Sequence, residues 1–240
     1  MNVNEDEKRE WDEKAYKFLE KTSNWSFRGS YDDSFTTINS LKPVYEFFKE
    51  IGSATNVLDY GCGNGWTAML LATKVERVYA FDISIGQIRV LQKYVKKNKF
   101  SNILYSVADG SHIPFPDDSV QYIFGNAILH HIPLRQCLPE IARVLKPGGR
   151  AAFCEPFRKD HAINLITLIK RHHSEKDLRS DTAISYSHMA TFKKYFSRVE
   201  FIKISQTSNQ LSSKVKSDDL RKKLLSLKRH SSYLTILLEK

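Results

Sequence analysis

Val57-Leu58-Asp59-Tyr60-Gly61-Cys62-Gly63-Asn64-Gly65-Trp66 decides how the rest of the chain is read. A short apolar strand signal over residues 56–60 runs straight into three glycines spaced two apart, and a helical pattern follows over residues 66–74. Glycine at such a turn lets the backbone come close to a ligand, because no side chain stands in the way. The free amides at the start of the following helix add partial positive charge at the same place. The stretch therefore predicts a strand–turn–helix that binds a nucleotide-like ligand.

Downstream of the loop, strand and helix signals alternate. Strands are predicted over residues 56–60, 77–82, 102–108, 120–126 and 151–155, with helices over 66–74, 84–98 and 134–145. Ile85, Ile88, Leu91 and Val95 fall on one face of the second helix. Pro139 moves the expected start of the third towards itself, and Lys146-Pro147-Gly148-Gly149 reads as the turn that stops it. Residues 199–205 and 233–238 read as two more strands, the last antiparallel beside its predecessor. The expected fold is α/β: a Rossmann-like, doubly wound, mostly parallel sheet of seven strands, with ligands at the carboxyl ends.

Two regions break this rhythm. Residues 157–190 hold an apolar helical run (162–169) and then a polar stretch; residues 207–231 are basic and partly helical. Both read as insertions, the first a helical one after strand five, and a helix is expected over 187–196. Upstream, residues 1–23 read as an amphipathic helix with Trp11, Ala15, Phe18 and Leu19 at helical spacing. A polar, aromatic segment (24–37) leads to a second helix over 38–51, disturbed by Pro43 or starting there. Residues 1–50 are thus expected to form a helical cap on a ligand-binding domain of residues 51–240.

Composition sets outer bounds. The 240 residues, 41% hydrophobic and 12% aromatic, suffice for one α/β domain with additions. No stretch approaches the roughly 20 apolar residues of a membrane span. The acidic, polar start Met1-Asn2-Val3-Asn4-Glu5-Asp6-Glu7 resembles neither a signal nor a transit peptide. Cys62, Cys137 and Cys154 lack metal-like spacing and even pairing, which suits reduced, buried thiols in a cytoplasm and gives no metal site. Net charge is uneven: residues 155–240 hold 18 Lys and Arg against 9 Asp and Glu, residues 1–154 hold 19 against 18. A basic C-terminal third can meet an acidic substrate, a membrane surface or nucleic acid, or simply be a solvated surface.

The features after the glycine loop narrow its ligand. Its Gly-x-Gly-x-Gly spacing departs from the dinucleotide fingerprint, and no Lys-Ser or Lys-Thr follows to build a triphosphate cradle. Asp82 ends the second strand, where a carboxylate can accept both hydroxyls of a ribose. Asp109-Gly110 ends the third, where a side chain and the backbone can read an adenine edge. Asp59, placed at the loop mouth, would repel a pyrophosphate but suits a cationic ligand.

With these residues in place the sequence resembles the class I S-adenosylmethionine-dependent methyltransferases, in the small-molecule branch that includes the ubiquinone and menaquinone biosynthesis enzymes. The matching pieces run in order from residue 55 to residue 155: the glycine loop, Phe81-Asp82-Ile83-Ser84, Ala108-Asp109-Gly110, Ile113-Pro114-Phe115-Pro116-Asp117, Leu129-His130-His131-Ile132 and Arg143-Val144-Leu145-Lys146-Pro147-Gly148-Gly149. The resemblance implies S-adenosyl-L-methionine as cofactor. It puts Gly61 and Gly63 on the methionine moiety with Cys62 a small spacer between them, Asp82 on the ribose, and Asp109 on the adenine with Ile83 and Ala108 flanking the ring. It also implies that Asn126 and Ala127 line the methyl-transfer channel. The resemblance fades before residue 50 and after residue 156.

The implied chemistry is transfer of an activated methyl group to an O, N or C atom of a small molecule, which needs chiefly orientation and, for a protonated acceptor, a base. His130 and His131 follow the fourth strand; neighbours cannot both point the same way, and His131 is favoured. Glu155, Tyr186, His188, Trp25, Arg28 and Tyr31 are further candidates for the pocket rim, each equally suited to packing. The competing readings are a methyltransferase acting on RNA or protein through the basic C-terminal third, and a non-catalytic binder of the cofactor. Strand four ends Gly125-Asn126-Ala127-Ile128, without the Asn-Pro-Pro-Tyr type of signature that marks amino-methylation of nucleic acid, so a nucleic-acid partner is not expected. A monomer or homodimer is expected.

Overall fold

The structure, a computed structural model, describes residues 3–21, 41–157, 184–206 and 231–240. The expectations for residues 24–37, 162–169 and 207–230, and for Trp25, Arg28 and Tyr31, lie outside these. Helix α1 (Val3–Lys21) and α2 (Lys42–Phe47) come first, the second starting at Lys42 with Pro43 in its first turn and stopping before the expected end. Then follow β1 (Asn56–Tyr60), α3 (Trp66–Ala72), β2 (Arg77–Asp82), α4 (Ile85–Lys97), β3 (Ile103–Val107), β4 (Val120–Asn126), a 3-10 turn (Leu129–His131), α5 (Leu134–Val144) and β5 (Leu145–Pro156). A 3-10 turn (Tyr186–His188), a single turn α6 (Met189–Phe192), β6 (Arg198–Gln206) and β7 (Ser231–Glu239) close the chain. The helix expected over 187–196 is thus much shorter.

The seven strands form one sheet in the order β3-β2-β1-β4-β5-β7-β6, with β7 antiparallel to both its neighbours. Because β1 to β4 run parallel in close register, Tyr60 lies beside Phe81 and Gly125, and Asp82 beside Val107. Their carboxyl ends therefore open on one edge of the sheet, and the reversal of strand order between β1 and β4 makes the crevice there.

Side-chain alternation divides the core between the two faces. Val57, Val78, Ala80, Tyr122 and Phe124 pack with α3 and α4 on one side. Leu58, Tyr60, Ile123 and Phe153 pack with α5 on the other, where Cys137, Leu138, Ile141 and Val144 are buried. Truncating one such residue, Ile141 to Ala, should cost about 2–5 kcal/mol. On α4, Ile88, Leu91 and Val95 are buried as their spacing predicts, but Ile85 at the helix start is 40% exposed. Val90 and Tyr94 are buried too, and α4 also packs against α1.

Two local expectations are corrected. Helix α5 starts at Leu134 and runs through Pro139; the carbonyl that Pro139 leaves without its helical donor belongs to Arg135, an exposed residue. Lys146-Pro147-Gly148-Gly149 does end the helix but lies within β5 rather than outside it. Leu145 pairs with Val120 and Arg150 with Tyr122, so the intervening residues bulge out, Gly148 taking φ +70°.

Candidate active site

The glycine loop is held by backbone geometry that only its residues allow. Gly61, Gly63 and Gly65 have φ of +69°, +51° and +84°. The Cys62 amide donates to the Phe81 carbonyl and the Gly65 amide to the Cys62 carbonyl, both at 2.9 Å. A Cβ on Gly65 would stand 2.1 Å from Leu91 Cδ1, and one on Gly61 2.4 Å from Ile128 Cγ1, so these two glycines admit packing. A Cβ on Gly63 would meet nothing within 4 Å: this residue faces open space.

That space is a cavity of about 190 Å³ at the carboxyl ends of β1 to β4. Gly61, Gly63, Asp82, Ile83, Ala108, Asp109, Gly110, Asn126, Ala127 and His131 line it, so residues from four separate loops meet in one cleft. A second lobe continues past Gly63 to Cys62, Asn64 and Thr67. Asp82 sits where the two halves of the loop system join: Oδ2 accepts from the Gly63 amide and Oδ1 from the Ser84 amide, both at 2.9 Å. Burial raises its pKa, which those two amides partly offset. Asp109 Oδ1 accepts from the amide and hydroxyl of Ser111, while the Gly110 carbonyl accepts from the Tyr60 hydroxyl at 2.7 Å. A structural role for these bonds does not consume the carboxylates, since each oxygen accepts more than one hydrogen bond.

Asp59 is not at the loop mouth. It is fully buried beneath the loop, on the face that β1 turns to α3, and outside the cavity lining. One oxygen accepts from Thr67 Oγ1 at 2.8 Å; the other, Oδ1, has no partner among the described residues. Desolvation lifts its pKa from 3.8 to about 7, with the neighbouring Asp82 charge adding to the effect. A buried, unpartnered carboxylate oxygen is costly in itself and is offset by a cation or donor brought to it. Asp59 lies two residues before Gly61 on the strand that feeds the loop, so its unpartnered oxygen puts unmet negative charge behind the glycine turn. Cys62 is 5% exposed, and burial raises its thiol pKa well above the usual range, so it is a spacer and not a nucleophile.

The end of β4 separates the two histidines. Ala127 takes φ +56°, and the chain turns so that the amides of Ile128 and Leu129 donate to Glu155 Oε1 at 3.0 and 2.9 Å. Glu155 Oε2 lies 2.6 Å from His130 Nδ1. Glu155 is fully buried and outside the cavity lining, which makes it the cap of this turn and the partner of His130, not a rim residue. His131 lines the cavity instead, its Nδ1 2.9 Å from Glu7 Oε1. The two rings nevertheless touch, with centroids 4.0 Å apart. Tyr186 packs against Phe157 and Phe201, and His188 bonds Ser185; neither lines the cavity.

Sequence reasoning expected a cap from residues 1–50 but did not place Glu7 or Trp11 of α1 on the cavity. Glu7 and Trp11, one helical turn apart, both line the cavity, and the Trp11 and His131 rings meet at right angles with centroids 5.4 Å apart. Next to them Asp12 Oδ1 accepts from the Ser84 hydroxyl and, at 2.7 Å, from the Gly86 amide. A Cβ on Gly86 would lie 3.0 Å from the Asp12 backbone, so glycine there is what lets the two helices meet. Trp11 was visible as part of an apolar stripe, but the pattern did not say what the stripe covers.

A doubly wound sheet with an antiparallel seventh strand and a cleft at its switch point is the architecture of the class I S-adenosylmethionine-dependent methyltransferases, and residues 57–149 match the family described as a methyltransferase domain. That match runs from β1 to the bulge in β5. Among relatives, the chain is 36% identical over 131 residues to 27-O-demethylrifamycin SV methyltransferase of Amycolatopsis mediterranei, covering 52% of this chain and 48% of that protein. It is 31% identical over 151 residues to demethylmenaquinone methyltransferase of Listeria welshimeri, covering 59% and 61% respectively. The match thus spans about half to three-fifths of the length of these two curated relatives. In fold, geranyl diphosphate C-methyltransferase from Streptomyces coelicolor aligns over 100% of this chain and 98% of its own, with a TM-score of 0.61 and 15% identity. The YcgJ protein of Bacillus subtilis aligns over 83% and 95%, with a TM-score of 0.60 and 21% identity.

Proposed function

We propose that this chain is an S-adenosylmethionine-dependent methyltransferase that moves a methyl group, by in-line displacement, to an O, N or C atom of a small-molecule metabolite in the cytoplasm. The observation that carries the reading is the convergence of Gly63, Asp82 and Asp109 on one cleft, with the unpartnered oxygen of Asp59 buried beneath its loop. The two curated relatives described above, named for a demethylated rifamycin and a demethylated menaquinone, support a small-molecule acceptor. In this reading residues 1–50 are the cap and residues 51–240 the cofactor-binding domain.

When bound, the cofactor supplies a sulfonium methyl already activated for transfer. The protein's part is to hold and orient. Asp82 accepts the ribose hydroxyls, Asp109 and the Gly110 backbone meet the adenine edge, and Ile83 and Ala108 flank the ring. Gly61, Cys62 and Gly63 receive the methionine moiety, whose ammonium group suits Asp59. Asn126 and Ala127 line the path to the acceptor. Orienting two reactants in this way supplies up to about 7–11 kcal/mol of a transfer barrier. His131, on the cleft, takes the acceptor's proton where there is one to take. His130, tied to Glu155, keeps the turn in shape.

Calorimetric titration with S-adenosylhomocysteine tests the reading. The wild type should bind, and Asp82→Ala should bind at least tenfold more weakly; a wild type that does not bind would remove the cofactor and the enzyme together.

A further inference from the structure

We propose that Gln87, in the first turn of α4, is a second anchor for the cofactor's ribose, its carboxamide donating to a hydroxyl whose own proton goes to Asp82. The proposal rests on the methyltransferase reading above. Gln87 is 8% exposed, yet its carboxamide has no hydrogen-bond partner among the described residues; only its backbone amide is taken, by Ser84 Oγ at 3.0 Å. A carboxamide carries two donors and an acceptor, and leaving them unmet in an interior costs free energy. Among the described residues Asp59 Oδ1 is the one fully sealed side-chain atom without a partner, so the Gln87 amide is not sealed in the core. It opens on the cavity, which Gln87 lines in both lobes.

Its place in the fold selects the ribose. Asp82 lines the first lobe and not the second, whereas Gln87 reaches both, so it stands where the nucleoside half of a bound cofactor passes into the methionine half. The two residues are joined by hydrogen bonds through Ser84, whose amide donates to Asp82 Oδ1 at 2.9 Å and whose Oγ accepts from the Gln87 amide. Helix α1 fixes the same turn from outside, Asp12 Oδ1 accepting from the Ser84 hydroxyl and the Gly86 amide. The Gln87 backbone is thus set beside Asp82 before any ligand arrives. Chemistry completes the pairing. A carboxylate can only accept, so a ribose hydroxyl that gives its proton to Asp82 keeps lone pairs that call for a donor, and the Gln87 Nε2–H group supplies one. Asn126, the other carboxamide on the cavity wall, is exposed and ends β4, which β1 separates from β2.

Calorimetric titration of the full-length protein with S-adenosylhomocysteine and its 2′-deoxy and 3′-deoxy analogues tests this. Gln87→Met and Gln87→Leu are good helix formers of similar size that carry no side-chain N–H. Both should bind S-adenosylhomocysteine about three- to tenfold more weakly than the wild type, the scale of one hydrogen bond. Removing one of the two ribose hydroxyls should then weaken binding to each variant by a factor about three- to tenfold smaller than in the wild type, a coupling that a merely structural role for Gln87 would not produce. Unchanged affinity for S-adenosylhomocysteine in the variants, or equal losses in all three proteins for both analogues, would overturn the proposal and leave the methyltransferase reading intact. A wild type that binds no S-adenosylhomocysteine would overturn that reading, and the proposal with it.

Discussion

Asp59→Asn separates the cost of the buried carboxylate from its use. The wild-type group has its folded pKa raised from 3.8 to about 7, mainly by desolvation. A raised folded pKa means that the stability contribution is fully present below the unfolded value and is lost as pH rises through the folded one. Over the three or so units between them the loss amounts to about 4 kcal/mol. Asparagine has the same shape and can still accept from the Thr67 hydroxyl, but it cannot ionise, so its stability has no such slope. Its buried amide group costs about 1–3 kcal/mol of its own, a constant that cancels when two pH values are compared. Between about pH 5 and about pH 8 the stability of Asp59→Asn relative to wild type should therefore rise by about 2–3 kcal/mol. Urea unfolding of both ligand-free proteins at the two pH values measures this directly.

The same substitution should damage binding while it relieves the fold. A cationic ligand group near Oδ1 favours the ionised carboxylate, so near neutral pH the wild type should release a proton as S-adenosylhomocysteine binds. Calorimetry in two buffers of different ionisation enthalpy reads that proton, and Asp59→Asn should show weaker binding and no release. Parallel stability profiles for the two proteins, or unchanged affinity and no proton release in the wild type, would refute the reasoning.

Other substitutions in the loop sort packing from ligand space. Gly65→Ala places a methyl 2.1 Å from Leu91 at φ +84°, so chemical denaturation should show a loss of about 2–4 kcal/mol, from overpacking together with left-handed strain. Gly63→Ala meets no protein atom and should cost only the strain, about 1–2 kcal/mol, yet weaken S-adenosylhomocysteine binding more than tenfold by titration, because its methyl enters the cleft. Asp12→Ala unfastens α1 from Ser84 and Gly86; hydrogen exchange should then rise along α1 while the amides of β1, β2 and β4 stay protected.

How far the sequence carried depended on whether each feature was local. The first two strands and the fourth could be read to the residue, because their apolar runs end at Asp82, Asn126 and the glycine of the loop, each a break in chemistry as well as in geometry. The course of β5 could not be read from Lys146-Pro147-Gly148-Gly149 alone. Those residues do favour a turn, but the pairing of Leu145 with Val120 and Arg150 with Tyr122 lies on another strand and turns the same residues into a bulge. Asp59 was misplaced for a similar reason: strand alternation decides which face it takes, and only the docking of Thr67 shows that face to be closed. The histidines show the limit most clearly. Alternation allowed at most one of them to face the cleft, yet the choice is made by two carboxylates, Glu155 on β5 drawing His130 inward and Glu7 on α1 meeting His131 at the cavity. Neither carboxylate is near the pair in sequence, and Glu7 reaches it only because Asp12 and Gly86 bring two helices together. A catalytic assignment within His130-His131 is thus a statement about how α1 packs, and anything that lifts α1 should change the chemistry of His131 before it changes the sheet.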